Sequence, residues 1–134
     1  MRPHIAALHV WANTPHEWGY SDCMMVLADW VRVVRGFDPA ADLRGTYGSP
    51  DWCPLGRSYR NDPAPVLRRA FAALPVVATP RLGDVALVEI RGQRHLFGAL
   101  KIDGRNWAMK TEAQGVLITR AVHPVLTWGV DYAA

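Results

Sequence analysis

The chain has 134 residues, half of them apolar and 20% charged. That composition fits one globular domain: the chain is too short for two and too hydrophobic to stay disordered. A net charge of +3 comes from 13 Arg and 2 Lys against 12 acids, but the arginines are spread from Arg2 to Arg120 with acids between them. Nucleic-acid binding needs clustered cations and is not expected. No apolar run approaches the roughly 20 residues of a membrane span, so no membrane partner is expected. The N-terminal stretch turns polar at Asn13-Thr14-Pro15-His16-Glu17 with no secretory signal. The expectation is synthesis in a cytoplasm, where Cys23 and Cys53 stay reduced.

In chain order, Ile5 to Trp11 is a short periodic stretch followed by a polar, Pro-containing segment. From Asp22 to Arg35 there is no Gly or Pro, and Cys23, Leu27, Trp30/Val31 and Val34 recur at helical steps. Ser21 or Asp22 can cap the start of this helix and Gly36 its end. Residues 37–65, rich in Pro and Gly, read as a long loop of the kind that forms a lid or an interaction surface. Pro65 opens a second helix running to about Leu74. Strands follow at 83–90, 95–102, 106–111 and 116–119, joined by turns at 91–94 and 103–105. Helices first and a β-meander afterwards give an α+β domain covering 1–134, its Cys-bearing helix packed on an antiparallel sheet.

Cys23 stands in the first turn of the best helix, where unpaired amides and the helix dipole favour a thiolate. The alternative is a small apolar core residue. A thiol nucleophile also needs an oriented imidazole. His95, opening a strand of the sheet that faces the helix, is best placed among the histidines, the alternative being an exposed turn residue. Asn106, on the next strand, is the conventional orienter; Lys110 and Thr111 are the other polar residues there. Paired ligand spacing for a metal is missing, as is a phosphate-cradling glycine loop, so neither metal nor cofactor is expected.

The order Tyr20-Ser21-Asp22-Cys23, then Leu82-Gly83-Asp84-Val85, then His95-Leu96-Phe97-Gly98 resembles the NlpC-type papain-fold cysteine peptidases. In those enzymes Asp-Cys starts the catalytic helix, Gly-Asp starts the first core strand and a histidine opens the next. Trp18-Gly19, Ala28-Asp29-Trp30, Asp38-Pro39-Ala40 and Leu43-Arg44-Gly45-Thr46-Tyr47 further resemble a family of small phage and prophage tail-gene proteins. The resemblance implies a papain-like fold, Cys23 as nucleophile, His95 as base and a peptidoglycan peptide as substrate. It places the protein at the tip of the virion tail, beside other tail-tip or hub proteins, opening the cell wall during DNA delivery. A structural adaptor on the same fold is the alternative; Trp52, Trp107, Trp128 and the 37–65 loop would supply its binding surface.

Two differences from the peptidases stand out. Met24-Met25 follows the cysteine where they have Ser-Gly. Their histidine and glycine lie two residues apart on one strand face, whereas Gly98 is three residues after His95. Aligning by histidine puts Phe97 at the glycine position; aligning by glycine puts Leu96 at the histidine position.

Overall fold

The computed structural model describes residues 1–51, 62–93, 95–113 and 115–133. Trp52, Cys53 and the remainder of 52–61 lie outside the described residues. The helices are α1 (Pro3–Ala12), α2 (Cys23–Arg35) and α3 (Ala64–Ala70). The strands are β1 (Val76–Val77), β2 (Val85–Ile90), β3 (Leu96–Lys101), β4 (Trp107–Thr111), β5 (Gly115–Thr119) and β6 (Val122–Trp128). This is an α+β architecture, and every strand pairing in its sheet is antiparallel.

α2 is the helix that the sequence pattern marks most clearly. Asp22 caps its start, Arg32 and Arg35 sit in its last turn where cations suit the dipole, and Gly36, at φ 80°, ends it. Met24, Met25, Val26, Leu27, Ala28, Trp30 and Val31 are buried. Each large side chain among them contributes roughly 1.5–3 kcal/mol by leaving water. The Trp30 indole donates to the Gly83 carbonyl at 2.8 Å, giving the polar end of that residue a partner inside the core.

The sheet order is β1-β6-β2-β3-β4-β5. The meander is present as β2 to β5, but β6 returns to the other side of β2. Its sequence does not read as an inner strand because Pro124 lacks a donor. In the structure, the register of β6 against β2 shifts between Leu87 and Val88, whose partners are Leu126 and Pro124. Val125 is the extra residue of this bulge. β1 pairs only with Thr127 and Trp128, so Pro124 lies on a stretch of β6 that β1 does not reach.

A flat sheet in this order would hold β5 about 19 Å from β6, at about 4.8 Å per strand. Yet β5 ends at Thr119 and β6 begins at Val122, a link that reaches at most about 10 Å. The sheet is therefore curled. Buried Ala86, Val88, Ala99, Trp107 and Met109 fill one face. The other face carries α1 and α2 and joins the larger core, which includes Leu27, Trp30, Val85, Leu87 and Leu100.

Several boundaries move. The N-terminal periodic stretch is a full helix; the second helix stops at Ala70; His95 and Asn106 fall just outside the strands they were expected to open. In the described part of the 37–65 segment, Ala40, Leu43 and Tyr47 are buried in the main core. That part is packed structure, held to the α2 cap by the Tyr47 hydroxyl on Asp22 and to the helix by Arg44 on Asp29.

Candidate functional site

Cys23 is the first residue of α2, and Asp22 before it fixes how that helix begins. The Asp22 carboxylate is fully buried. One oxygen accepts the Met24 and Met25 amides at 3.0 and 3.1 Å, and the other accepts the Gly19 amide at 2.8 Å and the Tyr47 hydroxyl at 2.7 Å. Gly19 must be glycine: at φ 84° an added Cβ would stand 2.2 Å from the Tyr47 carbonyl oxygen. The Gly45 amide donates to the Gly19 carbonyl at 3.0 Å. Arg44 spans Asp38 with Nε and Nη2 and reaches Asp29 on α2 at 2.7 Å. These two acids respond in opposite senses: the bonds to Arg44 hold Asp38 below its ordinary carboxyl value, while burial raises Asp29. Bonds from Gly19, Gly45 and Tyr47 thus tie the start of α2 to the 44–47 stretch, and Arg44 ties that stretch to Asp29 further along the helix.

This cap alters the electrostatic expectation for Cys23. The amides of Met24 and Met25 are taken by a carboxylate, and that negative charge offsets the positive end of the helix dipole.

Cys23, half-buried as the thiol, lines a groove of about 380 Å3. Trp18, Leu96 and Phe97 give it an apolar wall; His16, His95, Lys110, Thr111 and Glu112 give it polar groups. That volume suits a side chain and its flanking amides.

β3 explains the register of the site. Leu96 and Leu100 belong with the main core, whereas Phe97 and Ala99 belong with the second cluster. Gly98 shares the first of these faces: an added Cβ there would meet Leu27 Cδ1 at 2.9 Å and the Cys23 carbonyl oxygen at 3.4 Å. Gly98 and Leu96 therefore share the strand face beside α2. His95 is exposed on the bend before β3 and reaches the groove from its rim.

Asn106 is not brought to this groove. It sits in the turn at the other end of β3, about 20 Å of extended strand away. There its side chain donates to Asp103 at 2.9 Å and its amide to the same carboxylate at 2.7 Å. Asn106 thus extends the turn expected at 103–105 by one residue, and β4 begins at Trp107.

Two groove residues were not singled out from the sequence as site residues: His16, from the segment before α2, and Glu112, just past β4. Lys110, named above with the polar residues after His95, is buried, and its ammonium donates to the carbonyls of Trp11 and Thr14 at the end of α1. Burial holds that ammonium below its ordinary lysine value. Among the described residues, no group of three or more His, Cys, Asp or Glu is placed to hold a metal ion.

A family model described as a domain of unknown function, DUF6950, matches residues 2–130. The chain belongs to that family. The match takes in every helix and strand of this DUF6950 domain, the α2 support and the groove. No curated protein and no solved structure matches the chain at a significant level. No helix among the described residues is long and apolar enough to cross a membrane.

Proposed function

We propose that this DUF6950 domain is a thiol-dependent amide hydrolase with a papain-like arrangement, acting on the peptide of peptidoglycan from a phage tail tip. The observation that carries this reading is the groove itself, where a cysteine on the first turn of a capped helix shares an apolar-walled cleft with His16 and His95. The resemblance to NlpC-type peptidases supplies the substrate class and the tail-tip setting. In the reaction, an imidazole takes the Cys23 proton and the sulfur adds to the scissile carbonyl carbon. The C–N bond then breaks, the leaving amine receives that proton, and water hydrolyses the acyl-thioester to release the acid and restore the thiol.

A second reading has its own support. Leu96 at the strand position beside α2, which leaves no imidazole on that face of β3, is a feature an adaptor that has lost catalysis can carry. Incubation with isolated peptidoglycan separates the two. The hydrolase releases new amino groups, and Cys23→Ala abolishes the release while keeping the native near-UV spectrum. Absence of release by the unaltered protein, with Cys23→Ala phage still infectious, overturns hydrolysis in favour of the adaptor.

A further inference from the structure

The geometry points to His16, in the segment joining α1 to α2, as a proton acceptor for Cys23. This rests on the thiol-hydrolase reading and deepens it. A base carried by β3 itself would have to stand on the face of Leu96 and Gly98, and that face offers only leucine and glycine near α2. The imidazole must then come from a connecting segment. His16 and His95 both line the groove with Cys23, but they are held differently.

His95 is an exposed residue on a bend. His16 is half-buried, with its ring edge-to-face on Trp18 at 4.5 Å between centroids. The backbone around it is tied on both sides. The Thr14 carbonyl accepts from the buried Lys110 ammonium, and the Pro15 carbonyl accepts from the Ser21 hydroxyl at 2.6 Å. The Glu17 carbonyl accepts the amides of Tyr20 and Ser21 at 3.1 and 2.8 Å. These bonds hold His16 in a fixed relation to the residues that begin α2, the preorganisation a proton acceptor needs. Lys110 and Ser21 are positioning residues in this arrangement.

Among the described residues, the charged and titratable groups around His16 are Lys110 and Glu112 from the β4 side, His95 from the bend, Glu17 beside it in the chain and Cys23 itself. Glu112 lines both hollows that His16 borders.

Alkylation by iodoacetamide isolates the proton transfer from any substrate. The thiol proton passes to the imidazole, the sulfur bonds to the reagent's methylene carbon, and iodide leaves. In a Cys53→Ser background the rate at Cys23 is followed by mass spectrometry from pH 5 to 9, for the parent and for His16→Gln, His95→Gln and Ser21→Ala. The expected result is a loss of about tenfold at pH 7 in His16→Gln, the thiol returning towards its ordinary reactivity. The lower inflection of the rate–pH curve disappears with it, and the near-UV spectrum is unchanged. Ser21→Ala slows the reaction less and keeps the inflection, as expected of a residue acting only through position. A His16→Gln rate within about threefold of the parent, with the inflection kept, overturns the role of His16. If His95→Gln then carries the whole loss, the hydrolase reading stands. If the folded parent reacts no faster than its urea-unfolded form, that reading falls as well.

Discussion

Asp22 concentrates more of this structure in one side chain than any other residue near the groove. Its carboxylate takes four donors from three stretches of chain: the turn before α2, the first turn of α2, and Tyr47. Asp22→Ala leaves these donors buried without an acceptor, and each such loss costs about 1–3 kcal/mol before relaxation. The expected destabilisation is about 3 kcal/mol or more, read from urea unfolding. Asp22→Asn costs less, because one amide oxygen can still accept from Met24 and Met25 while the NH2 faces the Gly19 amide. An Asn variant as unstable as the Ala variant would mean that the charge and the oxygen serving Gly19 and Tyr47, and not the cap bonds to Met24 and Met25, carry the stabilisation.

At the scale of elements, the contact between α2 and β3 sets the depth of the groove. Gly98 lets the helix approach until Leu27 and the Cys23 carbonyl lie against the strand. Gly98→Ala forces a methyl into that contact and should cost about 1–3 kcal/mol, seen as a lower Tm, together with slower alkylation of Cys23 as α2 is pushed outward. An unchanged Tm would show that Leu27 repacks freely. α2 was legible in the sequence because a capping Asp, helical spacing and a terminal Gly all agree from Asp22 to Gly36. β6 was not, because Pro124 argues locally against an inner strand and only the bulge at Val125 reconciles it. Cys23 and His95 were legible as groove residues, through their chemistry and order along the chain. His16 was hidden because nothing in its own segment shows that the carbonyls around it are tied to Lys110 and Ser21. Asn106 was misplaced by a single turn, whose bonds to Asp103 are local and lie beyond the reach of strand alternation.

For the whole molecule, the segment after β6 folds back over the helices. His4 on α1 meets Tyr132, its Nδ1 3.2 Å from the phenol oxygen, and Tyr132 lies edge-on to Trp30 at 4.8 Å. Burial, with a smaller contribution from Arg2, lowers the pKa of His4 below its ordinary 6.5. The unfolded chain therefore takes up this proton first as pH falls. The stabilising difference is complete above pH 6.5 and is lost as pH drops from there through the folded-state value. Thermal melts at pH 7.5 and pH 5 should show a fall in Tm that His4→Gln reduces; an equal fall in the variant would assign the acid sensitivity elsewhere. The position of β6 has a separate consequence for biosynthesis. It is the last of the six described strands, yet it lies between β1 and β2. Until residues 122–128 have left the ribosome, β2 presents a row of unpaired amides and carbonyls along one side, an open template for a neighbouring nascent chain. A chain truncated before Val122 would keep that exposure permanently, and its fate would be aggregation instead of a smaller folded domain.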